Sequence, residues 1–340
     1  MKTLIIAEAG VNHNGNLDIA KKLIDVASNA KVDFIKFQTY KTKNLVSSNA
    51  KMADYQIKNI SSNLSQFEML KKLELSFSDF QELISYSKSK KIGFLSSPFD
   101  IESIDYLNKL EIDFIKIPSG EITNFPYLEK IASISKKVIL STGMSTLKEI
   151  ESALDILTSK NLKKKDITLL HCNTEYPTPF VDVNLKAMEN LKNHFDIMVG
   201  YSDHTLGIEV PIAAVALGAC VIEKHITLDS KMEGPDHFAS IEPKQLDSMV
   251  KSIRNIETAI SGNGIKEPSN SELKNINIAR KSIFTKCKIE RGTVIEKKHL
   301  ITLRPGDGIS PMNWNKIVGK TVNKKLPIFH KLNWNDIKDK

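Results

Sequence analysis

Eight short apolar runs punctuate the chain: Leu4–Ala9, Phe34–Thr39, Ile92–Ser97, Phe114–Ser119, Val138–Thr142, Ile167–Cys172, Ile197–Ser202 and Cys220–Thr227. Each has the length of a strand. The segments between them carry a helical period instead. In 17–30, for example, Leu17, Ala20, Leu23, Ile24 and Ala27 fall on one helical face. Strands alternating with helices build a parallel sheet. Eight such units within about 260 residues predict a (β/α)8 barrel, the TIM-barrel architecture. A doubly wound open sheet is the competing arrangement, and the turn after the first run lacks its GxGxxG signature.

Two stretches break the alternation. Residues 40–76 form a long connection after the second run, with a helix-like piece, SQFEMLKKLEL. Long loops in compact domains are usually functional or disordered, and in a barrel this one leaves from the face where active sites lie. Near Gly262 the composition turns polar and rich in Gly, Pro and Ser (SGNGIKEPSNSE). The expected organisation is a catalytic barrel over 1–261, a linker over 262–280 and a small β-rich domain over 281–340.

The apolar pattern fails at the ends of the eight runs. Strands covered on both faces should be nearly continuous in Val, Ile and Leu. Here the first carries Glu8, followed by Asn12–Gly15 (NHNG), and the second carries Lys36 and Gln38 on one side of the two-residue period. The fourth runs into Lys116, Ser119 and Glu121. The fifth ends in Ser141 and Thr142. The sixth ends in His171, Asn173, Thr174, Glu175 and Tyr176. The seventh ends in Ser202, Asp203 and His204, and in the eighth Glu223 and His225 share a side. Such groups are costly to bury without partners. Two isolated histidines fit a loop residue and a satisfied core residue equally well. Their company at the ends meant for catalysis favours a site.

Composition narrows the classes. No apolar run approaches the ~20 residues of a membrane span. The first run begins at Leu4, leaving no room for a signal peptide, so a cytoplasmic protein without membrane contact is expected. Cys172, Cys220 and Cys287 make no CxxC pair, which argues against a disulfide framework or a zinc–thiolate site. The net charge of +8 is scattered over helix-like segments with no basic stripe among aromatics, so no nucleic-acid partner is expected.

The chemistry follows from the residue types. Two lysines with several serines suit a bound phosphate and carboxylate. Two histidines suit a divalent ion with open positions for a substrate oxygen. Glu8 and Glu121 can move protons. A small, highly anionic substrate reacting with a carbonyl compound fits this set. A Schiff-base aldolase is the rival mechanism, and it gives the histidines no task. A non-catalytic sugar-binding protein is the alternative of a different class.

The stretches IAEAGVNHNG, IKFQTY, FLSSPFD, KIPSGE, ILSTGM, HCNTEYPTP, GYSDHTLG, VIEKHITLD and GPDHFAS, with ARKSI and LRPGDGISP near the end, resemble the bacterial sialic acid synthase family. The resemblance covers almost the whole chain. It implies a barrel followed by an antifreeze-like (SAF) domain in a domain-swapped homodimer. It also implies condensation of phosphoenolpyruvate with an N-acylated hexose in its aldehyde form, with C–O cleavage and release of phosphate. N-Acetylmannosamine is the expected acceptor. The alternative is 2,4-diacetamido-2,4,6-trideoxymannose, which would make the product N,N'-diacetyllegionaminate.

Carried over by motif position, the resemblance implies that His204 and His225 hold Mn2+ or Mg2+. It makes Lys36, Lys116, Ser119, Ser141 and Ser202 the phosphoenolpyruvate cradle, together with Asn173 or Thr174. Glu8 and Glu121 would be catalytic carboxylates. Gln38, Tyr176 and Asp236 would meet the sugar, and Arg304 would reach it from the partner's small domain.

Overall fold

The computed structural model describes residues 2–60, 64–134 and 136–339. Its contacts divide the chain into two units, Met1–Ser261 and Gly262–Lys340.

The first unit is the eight-stranded barrel. Strands β1 (Leu4–Gly10), β2 (Phe34–Thr39), β3 (Gly93–Pro98), β4 (Phe114–Ile117), β5 (Lys137–Ser141), β6 (Ile167–His171), β7 (Met198–Asp203) and β8 (Val221–His225) are all parallel, in the order β3-β2-β1-β8-β7-β6-β5-β4. β3 and β4 lie side by side without ladder pairing, so the barrel is nearly closed. Helices alternate with the strands as the periodicity requires. In Leu17–Asn29, Ala20, Leu23, Ile24 and Ala27 are buried, and Asn16 caps the helix by accepting from the amides of Asp18 and Ile19.

Strand alternation sorts each β-strand into two faces. Outward residues such as Ile5, Ala7, Ile35, Ile115 and Ile222 pack into the large core beneath the helices. Inward residues form a separate cluster of Leu4, Ile6, Phe34, Leu95, Phe114, Ile139, Leu170, Cys220 and Val221. This cluster fills the N-terminal half of the barrel, with Phe34 and Phe114 edge to face, ring centroids 5.9 Å apart. Above it the inward positions turn polar: Glu8, Lys36, Ser97, Lys116, Ser141, Ser202, Glu223 and His225. The apolar layers act as a plug, and the chemistry stands on top of it.

The plug is tight at Gly200 on β7. A Cβ there would lie 2.4 Å from the carbonyl oxygen of Val221 and 2.7 Å from Leu170 Cδ2. No side chain fits without moving β8.

Among its described residues, the long connection after β2 holds three short helices, Thr42–Leu45, Asp54–Asn59 and Gln66–Leu73. It packs through its own small apolar cluster around Tyr40, Ile60, Met69 and Leu73, joined by Val11 of the β1 loop.

The second unit holds two small antiparallel sheets, Ser282–Thr285 with Leu300–Leu303, and Thr321–Val322 with Ile337–Lys338. Ile283, Ile289, Ile295, Leu300, Ile317, Leu326 and Leu332 fill its core. The stretch expected as linker contains a helix, Asn270–Ala279, entered by a capping arrangement in which Glu272 accepts from the Ser269 amide. Its polar composition masked the helical period.

Gly200→Ala is expected to lower stability by about 1–3 kcal/mol through overpacking. Gly262→Ala, where the added methyl meets open space, is expected to leave it unchanged. Urea denaturation followed by circular dichroism distinguishes the two; equal stability of Gly200→Ala and the parent chain would show that β7 and β8 can separate freely.

Candidate active site

The polar ends of the strands surround a cavity of about 300 Å3 at the C-terminal face of the barrel. Its floor is a network of buried charges. Lys36 Nζ lies 2.7 Å from Glu8 Oε2 and 3.7 Å from Glu223 Oε1, and donates to Ser97 Oγ at 3.1 Å. Lys116 Nζ donates to Ser141 Oγ at 2.8 Å and lies 3.5 Å from the same Glu223 oxygen. Ser202 donates its hydroxyl to that oxygen as well, at 3.1 Å. One carboxylate oxygen on β8 thus ties β2, β4 and β7 together. Glu223 Oε2 is buried without a hydrogen-bond partner.

Burial sets the protonation states here. It pushes the Glu8 carboxyl up to about 7, against the pull of Lys36. For Glu223 burial also opposes the charge, but Lys116 and Lys36 outweigh it and hold the carboxyl below the usual range. Burial draws the Lys116 ammonium down, while Glu223 and Glu8 overcome burial at Lys36 and hold it up.

His204 and His225 face one another beside this floor, ring centroids 5.4 Å apart. Burial pushes His204 down to about 4 and His225 well below its ordinary value, so both rings are neutral near pH 7. His204 Nδ1 meets the carbonyl oxygen of Asn173, which makes Nδ1 the protonated nitrogen and leaves the Nε2 lone pair free. His225 Nδ1 is buried without a partner. Two neutral imidazoles with available lone pairs fit a divalent cation. Among the described residues no group of three or more His, Cys, Asp or Glu is arranged for a metal, so the protein would supply two nitrogens and leave the other positions to oxygen ligands.

Tyr176 stacks on His204 with centroids 4.1 Å apart and meets His225 edge-on at 5.6 Å; Tyr55 from the long connection stacks on Tyr176 at 5.1 Å. Asp236 lines the same side, its carboxyl pushed up to about 6 by burial. Gly10, at a φ of +53°, lets β1 turn away above Glu8; a Cβ there would come within 3.3 Å of the His225 ring and 3.4 Å of Gln38.

The remaining wall differs in kind. Val11, Tyr40, Leu45, Val46, Met69, Leu70 and Leu73 line it, nearly all contributed by the connection after β2. The same connection also brings Tyr55, Gln56 and Gln66 to the lining, so the strand ends contribute the ionic groups and the connection a mostly apolar set.

Glu8, Lys36, Gln38, Lys116, Ser119, Ser141, Thr174, Tyr176, Ser202, His204, His225 and Asp236 line this one cavity. Two residues of the same unit named from the motifs do not. The Asn173 side chain caps its own turn, accepting from the Glu175 amide at 2.8 Å and the Thr178 hydroxyl at 3.4 Å; of the Asn173–Thr174 pair it is Thr174 that faces the cavity. Glu121 sits half-buried on the turn after β4, accepting from Asn124 at 2.6 Å, its carboxyl raised by burial. Arg304 belongs to the second unit, where its Nε donates to the Ala279 carbonyl. Conversely, Glu223, Ser97 and Cys172 line the cavity but stand outside the motif assignments. Glu223 was legible from its two-residue spacing before His225. Ser97 was legible as the inward residue at the end of β3.

The model of the NeuB family matches residues 23–266, and that of the SAF domain matches residues 280–328. The chain belongs to the NeuB family. Within that family it is 56% identical over 323 residues to an N,N'-diacetyllegionaminic acid synthase of Campylobacter jejuni, covering 95% of this chain and 96% of that protein. An N,N'-diacetyllegionaminic acid synthase of Legionella pneumophila is 46% identical over 339 residues, covering 99% of this chain and 95% of that one. A crystal structure of N-acetylneuraminic acid (sialic acid) synthetase from Leptospira borgpetersenii, in complex with citrate, is 36% identical, with a TM-score of 0.70 over 81% of this chain and 90% of that one. This NeuB-family chain is therefore an enzyme, a transferase of the sialic and legionaminic acid synthase group. Among its described residues no helix is long and apolar enough to cross a membrane.

Glu223→Gln leaves two buried ammonium groups without their shared counter-charge. It is expected to cost about 3–5 kcal/mol of stability, and inorganic phosphate is expected to raise the melting temperature of the variant more than that of the parent. A phosphate response no larger in the variant would show that the lysines do not depend on Glu223 for their charge balance.

Proposed function

We propose that this enzyme condenses phosphoenolpyruvate with 2,4-diacetamido-2,4,6-trideoxymannose, in its open aldehyde form, to give N,N'-diacetyllegionaminate and phosphate. This acceptor replaces N-acetylmannosamine, the one first expected from the motifs. The observation that carries the choice is the mostly apolar lining, Leu45, Val46, Met69, Leu70 and Leu73 with Gln56 and Gln66, that the connection after β2 adds to the ionic strand ends. Relative to N-acetylmannosamine, the preferred acceptor has an acetamido group in place of the C4 hydroxyl and a methyl in place of the C6 hydroxymethyl. Both changes add apolar surface or remove a hydroxyl, and the wall of Leu45, Val46, Met69, Leu70 and Leu73 rewards both. The two diacetyllegionaminic acid synthases similar to this chain support the same acceptor.

On the ionic side, Lys36 and Lys116, with Ser119, Ser141, Ser202 and Thr174, would receive the carboxylate and phosphate of phosphoenolpyruvate. His204 and His225 would hold a divalent cation, Mn2+ or Mg2+, which when bound supplies Lewis acidity for the aldehyde oxygen. Carbon 3 of phosphoenolpyruvate bonds to the aldehyde carbon with the electrons of its C2–C3 double bond, leaving an oxocarbenium ion at carbon 2, and the aldehyde oxygen takes up a proton. Water adds at carbon 2 and gives up a proton. Collapse forms the carbon 2 ketone as the C–O bond to phosphate breaks, and the phosphate leaves with the hydroxyl proton. Of the two earlier transfers one proton is taken and one given, and Glu8, held near 7, is suited to both. Gln38, Tyr176 and Asp236 would orient the sugar.

A homodimer belongs to the same reading. Phe125, Met144, Phe180, Val181, Leu206 and Phe238, on the segments that follow the C-terminal ends of β4 to β8, are large apolar residues left exposed. Such a set fits a second copy of this chain, and Arg304 would reach the sugar from that copy.

Phosphate release with Mn2+ and phosphoenolpyruvate is expected to show a kcat/KM at least tenfold higher for the diacetamido acceptor than for N-acetylmannosamine. The reverse order would return the acceptor to N-acetylmannosamine, and no phosphate with either would remove the synthase reading. Arg304→Ala is expected to raise KM for the sugar while leaving KM for phosphoenolpyruvate unchanged. Unchanged kinetics for both would remove Arg304 from the site.

A further inference from the structure

Behind the two histidines, on the outer face of the same strand ends, lies a second ion pair that the reaction does not use. Asp203 precedes His204 and Lys224 precedes His225. The two are direct cross-strand partners, both side chains are wholly buried, and Lys224 Nζ is 2.6 Å from Asp203 Oδ2. Lys224 also donates to the carbonyl oxygen of Thr205. Thr205 in turn donates its amide to Asp203 Oδ1 at 3.1 Å and its hydroxyl to Asp203 Oδ2 at 3.0 Å. The residues on either side of His204 are thereby fastened to the residue just before His225.

A dry ion pair of this kind is rarely more stabilising than apolar side chains of the same volume. What it adds over apolar packing is fixed length and direction. At this place, length and direction determine where the two imidazoles stand. We propose that Asp203, Lys224 and Thr205 are positioning residues that set the separation and orientation of the His204 and His225 rings, and through them the affinity for a divalent cation. The inference rests on the two-histidine metal reading above and extends it to residues that touch neither metal nor substrate.

The test is titration of the full chain with Mn2+ in the absence of substrate, following free Mn2+ by electron paramagnetic resonance, with thermal melts on the same samples. The double variant Asp203→Asn/Lys224→Met removes both charges together, so no unpaired ion is left inside. It is expected to melt cooperatively, to keep its stabilisation by inorganic phosphate, and to bind Mn2+ ten- to a hundredfold more weakly. Thr205→Val keeps the ion pair and loses one hydrogen bond, with an expected loss of about threefold. His204→Ala sets the level of complete loss. Parent affinity in both variants would overturn the proposal, and so would a double variant that fails to fold, since the pair would then serve stability. A parent chain that binds no Mn2+ would remove the metal reading itself. Parent binding with unaltered variants would remove only the positioning role.

Discussion

A single carboxylate oxygen, Glu223 Oε1, makes the floor of this barrel possible. Two ammonium groups inside a protein repel each other and each loses its water. At 3.5–3.7 Å from both, the Glu223 charge attracts each by about 5 kcal/mol at an effective dielectric of 20, enough to oppose their desolvation. Ser202 adds a hydrogen bond to Glu223 Oε1, and Ser141 accepts one from Lys116. The consequence for function is preorganisation. The lysines are held in place by ionic partners, so an arriving anion exchanges partners with them and does not have to order two long side chains.

That floor needs something rigid beneath it. The inward apolar layers supply it, since Phe34, Phe114, Leu95 and Leu170 leave no slack through which the strands could slide. The parts of the site divide accordingly. In the proposed reading, the groups that would meet the anion and the metal stand on strand ends. Those that would meet the apolar side of the acceptor stand on the connection after β2, whose helices pack through a small cluster of their own. Chemistry shared across a family belongs on the first kind of support, and discrimination between acceptors on the second.

The same division explains what could be read from the chain alone. All eight strands announced themselves as apolar runs, and the polar interruptions marked their C-terminal ends, because a two-residue period and a buried environment leave little choice of residue. Lys36, Lys116, His204 and His225 were legible as wrong residues in the right places. The apolar wall was not, because Leu45, Met69 and Leu73 look like any helix-facing leucine or methionine; only the path of the connection brings them over the cavity. The choice between Asn173 and Thr174 stayed open in the sequence for a related reason. A short polar side chain at a turn can satisfy its own backbone, and here it does, leaving Thr174 to face inward.

The segment VIEKH of β8 shows how far register carries this design. Glu223 faces the lysines, Lys224 faces Asp203 on the opposite side, and His225 faces His204. Three successive side chains hold three separate tasks because a strand alternates. A slip of one residue would put Lys224 into the cavity and send Glu223 and His225 toward the helices. The pairings Ser202↔Glu223, Asp203↔Lys224 and Glu8↔His225 prevent it with a hydrogen bond inside the barrel and an ion pair outside. A slip would break both at once and strand buried charges on each face. The polar strand ends are therefore part of what holds β8 in the register that their chemistry requires.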